Sequence, residues 1–134
     1  MMEQANRSFA RAIQVRAESA QLAMIRTFVE EVGSDAALND ERLFDLKVAV
    51  SEACANAVEH AGCDETLLEV AARVHDQRLT IVVSDSGLFH PPMQPRPAHH
   101  SRGLGMPLMV ALMDEVIFAR LPGGGTTVSL SLLL

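Results

Sequence analysis

Residues 48–62 read VAVSEACANAVEHAG, and this stretch decides how the rest of the chain is interpreted. Its apolar residues recur at steps of three and four, the spacing of a helix that buries one face. The chain around it predicts that the helix is long, capped by Asn39 or Asp40 and ended by Gly62. The predicted buried stripe consists of Val50, Cys54, Ala57, Val58 and Ala61.

A second row on this helix is polar, because Glu52, Asn56 and His60 follow one another every four residues. Four residues turn an α-helix by about 400°, so the three side chains lie nearly in line, each about 6 Å further along the axis. Polar groups beside a buried stripe are costly unless water or a ligand reaches them. The rest of the sequence favours a ligand.

Length and composition predict one folded domain that spans residues 1–134. No apolar run reaches the roughly 18 residues that a membrane span needs, and the first residues, MMEQANRSFARA, lack the hydrophobic core of a signal peptide. We therefore expect a cytoplasmic protein without a membrane partner. A net charge of −6 and the lack of Trp and Tyr argue against nucleic-acid binding. Cys54 and Cys63 match no zinc or redox spacing.

The pattern of the whole chain predicts an α+β fold, in which one mixed, mostly antiparallel sheet carries helices on one face. Alternation predicts an edge strand at 8–15, and LTIVV within the second strand of a hairpin predicts a central strand. Leu68, Val70, Ala72 and Val74 are expected on one face of the first hairpin strand. The predicted helices are Glu18 to Val32, with Gly33 as a stop signal before a loop to Asn39, and Met106 to Val116, burying Leu108, Met109, Leu112 and Met113. The predicted strands after the first are Thr66 to His75, Arg78 to Ser84, Val116 to Leu121 and Thr126 to Leu133, the last continuing as a buried end through Leu134.

Residues 88–102, LFHPPMQPRPAHHSR, form a predicted loop. Four prolines exclude regular structure there, and loops of this length within a small domain are usually functional or disordered. The three histidines of the loop match no metal-binding spacing, so we expect them to be solvated.

Four short motifs occur in a fixed order: Glu52-x-x-x-Asn56 with His60, Asp85-x-Gly87, Gly103-x-Gly105 and Gly125-Thr126. Each is weak alone, because short motifs match by chance. Glycines that precede a helix let backbone N–H groups approach a phosphate, and the helix N-terminus adds a favourable field. A carboxylate that follows an apolar strand can accept a hydrogen bond from an exocyclic amine such as that of adenine.

The central helix supplies the remaining chemistry. The carboxamide oxygen of Asn56 suits Mg²⁺, which takes few protein ligands and keeps phosphate oxygens and water for the rest. Glu52, one turn away, can accept or orient the proton of an attacking hydroxyl. Together the motifs predict a site for a nucleoside triphosphate and a metal. The G-x-x-x-x-G-K-[ST] and G-x-G-x-x-G fingerprints are both absent.

The order E-x-x-x-N-x-x-x-H, D-x-G, G-x-G and G-T resembles the GHKL ATPase superfamily of histidine kinases, type II topoisomerase subunits and mismatch-repair ATPases. Within it, VAVSEACANAVEHAG and RGLGMPLMVALMDEV are similar to the anti-sigma factor serine/threonine kinases. The resemblance runs from about Phe9 to Leu132. It implies a two-layer sandwich of the histidine kinase-like ATPase fold, in which ATP binds between the helices and a mobile lid, here residues 88–102.

The resemblance also implies roles for individual residues. Glu52 would be the general base for a serine hydroxyl, and Asn56 the Mg²⁺ ligand. Asp85 would bind adenine, with Gly87 beside it and Thr126 assisting through water. The nucleotide-binding residues expected around the phosphates and the lid are Arg102, Gly103, Leu104, Gly105 and Met106. The family forms homodimers, binds a sigma factor and phosphorylates a serine of a STAS-type anti-anti-sigma protein.

The chain departs from this pattern at Phe89, where many relatives have a second glycine in D-x-G-x-G. Phe89 should make the start of the lid stiffer than glycine would. An alternative interpretation is therefore that the protein is a non-catalytic ATP-binding switch that gates a protein interaction. A second alternative is a detached histidine-kinase catalytic domain. No helical hairpin with a phosphoacceptor histidine precedes the domain, which argues against that assignment. The pattern assigns no role to His60.

Overall fold

A five-stranded antiparallel sheet forms one layer of the protein in the computed structural model, which describes residues 8–61, 67–85, 105–120 and 125–134. Its strands are β1 (Phe9–Arg16), β2 (Leu67–His75), β3 (Arg78–Asp85), β4 (Glu115–Arg120) and β5 (Thr126–Leu133), in the order β1-β2-β3-β5-β4. The predicted α+β class, the edge position of β1 and the central position of β3 are confirmed. Every pairing of these described strands is antiparallel, so the parallel component of the predicted mixed sheet is not found among them.

The β2–β3 hairpin forms the centre of the sheet because its residues alternate between a buried and an open face. Val70 pairs with Val83, and the same face buries the predicted set of Leu68, Val70, Ala72 and Val74. The hairpin turns at Asp76 and Gln77, whose φ angles of 54° and 61° are those of a type I′ turn. This turn fixes the register, and the register places Asp85 at the end of β3 on the buried face.

In the described ranges, three α-helices cover the buried face, namely α1 (Leu22–Asp35), α2 (Asp40–Ala61) and α3 (Gly105–Leu112). The central helix α2 packs between the other two. Its predicted cap is Asn39, whose side-chain oxygen accepts a hydrogen bond from the backbone N–H of Arg42 at 2.8 Å. The predicted end at Ala61 is confirmed, and the buried stripe includes Val50, Cys54 and Ala57.

The first helix differs from its prediction at both ends. A 3₁₀ turn, Ser19–Gln21, precedes α1, and the helix continues through Gly33 to Asp35. Gly33 is therefore not a stop signal. A Cβ atom built on Gly33 would lie 2.6 Å from Cδ1 of Leu43, so this glycine permits close packing of α1 on α2.

The end of α1 is a Schellman motif with alanine in the position that usually holds glycine. The N–H of Leu38 donates to the carbonyl of Gly33, and the N–H of Ala37 donates to the carbonyl of Ser34, both at 3.0 Å. Ala37 has a φ of 62°, in the left-handed region. Ala37 thus redirects the chain towards α2 in a backbone conformation that is unfavourable for alanine.

The third helix is shorter than the predicted span of Met106 to Val116, because the strand that follows begins earlier. The N–H of Asp114 donates to the carbonyl of Ser131 at 2.9 Å, and the carboxylate of Asp114 accepts the N–H of Leu133 at 2.7 Å. These bonds draw the chain onto β5 as soon as the helix ends.

Burial near the end of the chain follows the prediction only in part. Met109 and Met113 are buried as predicted, but Leu108 is 36% exposed, since it lies on the outer side of α3. In the last strand Leu130 and Leu132 are buried, whereas Leu133, its final residue, and Leu134, which follows the strand, are exposed. None of the helices in the described ranges has the length and apolar character required to cross a membrane.

Candidate functional site

A cavity of about 420 Å³ opens between the central helix and one end of the sheet. Its size falls within the range of small-molecule sites. The helix α2 contributes Ala53, Asn56 and Ala57 to its wall, and β3 contributes Val83 and Asp85. The wall is completed by residues of the two following strands, namely Thr126, Thr127 and Val128 of β5 and Phe118, Ala119 and Arg120 of β4.

Asp85 and Thr126 meet at this cavity as cross-strand partners. They are paired in the β3–β5 register, and the hydroxyl Oγ1 of Thr126 donates to Oδ2 of Asp85 at 3.2 Å. Asp85 is the last residue of β3 and is only 5% exposed. A buried carboxylate held in this way presents an oriented acceptor to a ligand in the cavity.

The helix side of the cavity carries the predicted polar row. Asn56 lines the cavity and is partly buried, and the small side chains of Ala53 and Ala57 leave space beside it. Glu52 is also partly buried and lies one helical turn before Asn56. Glu52 does not line the cavity itself, so it stands next to the space and not inside it. The side chain of His60 lies outside the described residues.

The predicted phosphate-binding segment is described only at its end. Gly105 is the first residue of α3, in agreement with the prediction that the second glycine opens a helix. Met106 is the second residue of the same helix. Several predicted site residues lie outside the described residues. They are Gly87, the predicted lid at 88–102, which includes Arg102, and the two residues after the lid, Gly103 and Leu104.

Residues of β4 form a part of the cavity that the sequence did not predict. Phe118 and Arg120 alternate along this strand and pair with Val128 and Thr126 of β5. Arg120 is exposed and is the only cationic residue among the described residues that line the cavity. No motif marks these positions, because their place in the cavity depends on how β4 is registered against β5.

The free cysteine Cys54 is unsuited to chemistry at this site. It is 1% exposed, and burial raises the pKa of its thiol from 9.0 to about 12. A thiol in such surroundings stays protonated and inert at neutral pH. Within the described ranges, no three His, Cys, Asp or Glu side chains are grouped as a metal site.

Comparison with known proteins identifies the family of the chain. The family model of the histidine kinase-like ATPase domain matches residues 15–132, which is nearly the whole chain. The chain belongs to this family.

The curated relatives of this histidine kinase-like ATPase domain include named serine kinases. The chain is 37% identical over 118 residues to the serine-protein kinase RsbW of Bacillus velezensis, covering 78% of this chain and 74% of the relative. It is 36% identical over 118 residues to the enzyme of the same name from Bacillus subtilis, with the same coverage. It is 35% identical over 99 residues to the anti-sigma F factor of Pasteuria penetrans, covering 66% of each chain.

A solved structure agrees with the fold of this histidine kinase-like ATPase domain. The crystal structure of the RsbU and RsbW domains of a Mycobacterium tuberculosis protein matches with a TM-score of 0.72 and 22% identity. The match covers 94% of this chain and about a third, 32%, of the other chain. At this identity the likeness supports the fold alone.

Proposed function

We propose that this protein is an ATP-dependent protein-serine kinase that acts as an anti-sigma factor. Named relatives at 36–37% identity support the kinase assignment, and the anti-sigma F factor of Pasteuria penetrans supports the regulatory one. The observation that carries the proposal is the meeting of Asp85, Thr126 and Asn56 at one cavity. These residues come from three elements that are far apart in the sequence.

Adenine binding is assigned to Asp85 and Thr126. The exocyclic amine of adenine donates a hydrogen bond to the carboxylate of Asp85, and Thr126 orients this carboxylate. A carbonyl at the same position of the base, as in guanine, would face the carboxylate as a second acceptor and be rejected. Gly87 completes the base-binding end in this proposal.

Metal binding is assigned to Asn56. Its carboxamide lies in the cavity wall and offers a neutral oxygen, which fits Mg²⁺ because this ion takes few protein ligands in phosphate sites. When bound, Mg²⁺ would neutralise charge on the phosphates. We assign the phosphate contacts to residues before and at the start of α3, namely Arg102, Gly103, Leu104, Gly105 and Met106, with residues 88–102 as the lid.

Glu52 is assigned the role of general base. Its carboxylate accepts the proton of a serine hydroxyl, whose oxygen attacks the γ-phosphorus. The bond between the γ-phosphorus and the bridging oxygen breaks, and ADP leaves. The position of Glu52 beside the cavity supports this role, because the serine must approach from outside the nucleotide.

The partners follow from the same assignment. We propose that the protein binds a sigma factor, phosphorylates a STAS-type anti-anti-sigma protein, forms a homodimer and works in the cytoplasm as a single domain of residues 1–134. The acidic net charge of −6 suits partners with basic surfaces.

The test is incubation with γ-labelled ATP, Mg²⁺ and the anti-anti-sigma protein. A serine kinase labels that protein, and the label survives acid because phosphoserine is acid-stable. Bound nucleotide without any label would favour the switch, which Phe89 motivates. Acid-labile label would favour a histidine kinase domain.

A further inference from the structure

An aromatic ring stands in the cavity wall at a place to which no motif assigns a role. Phe118 lines the cavity and is 42% exposed. In the register it pairs with Val128, which pairs with Val83. These three side chains therefore form one cross-strand row on the helix-covered face of the sheet.

This apolar row runs beside the row that holds Asp85 and Thr126. Val83 and Asp85 are two residues apart on β3, and two residues along a strand cover about 7 Å. Adjacent strands lie about 4.8 Å apart. A flat base whose amine reaches the buried carboxylate of Asp85 therefore extends over the apolar row towards Phe118.

We propose that the ring of Phe118 packs against the nucleobase held by Asp85, and that Phe118 sets the affinity for the nucleoside part of the substrate. This inference rests on the proposed nucleotide site. Contact with a base would cover apolar surface that the protein alone leaves exposed to water. Stacking on an aromatic ring tolerates any base, so Phe118 contributes affinity while Asp85 contributes base selectivity.

Two other residues of β4 separate this role from others. Ile117 is 51% exposed on the same strand, but it pairs with Ser129 on the opposite face of the sheet and does not line the cavity. It is a matched control for loss of an exposed apolar side chain. Arg120 is a cation in the wall, and an effect that grows with the number of phosphates would belong to such a cation and not to a ring.

A fluorescence experiment tests the contact directly, because the chain contains no Trp and no Tyr. Phe118→Trp introduces a single indole into the cavity wall, and Ile117→Trp places one on the opposite face. We expect ATP, ADP and adenosine to change the emission of Phe118→Trp, and magnesium tripolyphosphate to leave it unchanged. Ile117→Trp should respond to none of them. Equal responses of the two variants, or a response to tripolyphosphate alone, would overturn the proposal.

Calorimetry supplies the second measurement on the full chain. Phe118→Ala should weaken ATP, ADP and adenosine by the same factor, on the order of tenfold, and Ile117→Ala should leave all three unchanged. Unaltered affinity of Phe118→Ala would overturn this inference alone, whereas failure of the unmodified protein to bind ATP would overturn the proposed function with it. Phe118→Leu keeps an apolar side chain without a ring. Its affinity for the three ligands should lie between those of the unmodified protein and Phe118→Ala, and it tests the ring even if the alanine variant folds poorly.

Discussion

The hydroxyl of Thr126 donates a hydrogen bond to the carboxylate of Asp85 at 3.2 Å, from strand β5 to the neighbouring central strand β3. The bond joins two motifs that are 41 residues apart in sequence. It fixes one carboxylate oxygen of a residue that is almost fully buried at the cavity. The orientation of this acceptor is therefore a property of the sheet and not of a loop.

Asp85→Asn should weaken ATP and adenosine by roughly 10- to 100-fold, because a buried hydrogen bond to a charged group is lost and an amide donor faces the amine of the base. Magnesium tripolyphosphate should bind as before. Competition calorimetry measures both, with Glu69→Gln on the exposed face of β2 as the control. An equal loss for tripolyphosphate would remove Asp85 from base recognition.

Ala37→Gly should stabilise the protein by about 1 kcal/mol, since a left-handed conformation is strained for alanine and open to glycine. Ala36, the preceding residue, has a φ of −86° and is buried in the core. Ala36→Gly should therefore destabilise the protein, by up to about 1 kcal/mol through the backbone entropy of glycine and further through the loss of a buried methyl group. Urea unfolding measures both changes, and a destabilised Ala37→Gly would contradict the strain seen at this helix end.

The hydrophobic pattern predicted the architecture well, because each strand of the hairpin and the stripe on α2 must bury one face. It failed where packing between elements overrides local signals. Glycine commonly ends a helix, which is why Gly33 was predicted as a stop signal. In the structure its lack of a side chain instead makes room for the side chain of Leu43. Likewise, α3 ends and β4 begins earlier than predicted, because the carboxylate of Asp114 accepts a hydrogen bond from the backbone of β5.

The candidate site was predictable only on the motif-bearing elements. The four-residue spacing of Glu52 and Asn56 places both on one side of α2. The pairing of Asp85 with Thr126 depends on the register of β3 against β5, which the sequence did not predict. Phe118 and Arg120 carry no local signal. Their place in the cavity is set by a register between two strands that sequence alone does not determine.

Stability at alkaline pH should depend on Cys54. Burial raises the pKa of this thiol from 9.0 to about 12, so the unfolded thiol loses its proton first. The stabilisation from the protonated buried thiol is complete below pH 9 and is lost as the pH rises towards 12, at about 1.4 kcal/mol per pH unit. Cys54→Ala should show a shallower decline in the free energy of unfolding over this range. Parallel pH profiles of the two proteins would contradict this expectation.

The most direct test of the account is phosphoryl transfer by Glu52→Gln, measured in a single turnover with γ-labelled ATP, Mg²⁺ and the anti-anti-sigma protein. Glu52 stands beside the cavity, one turn from Asn56, so the variant should bind ATP with unchanged affinity. Transfer to serine should fall by about 100-fold or more, because the hydroxyl loses its proton acceptor. Glu69→Gln should transfer normally. Normal transfer by Glu52→Gln would contradict the mechanism proposed for this site.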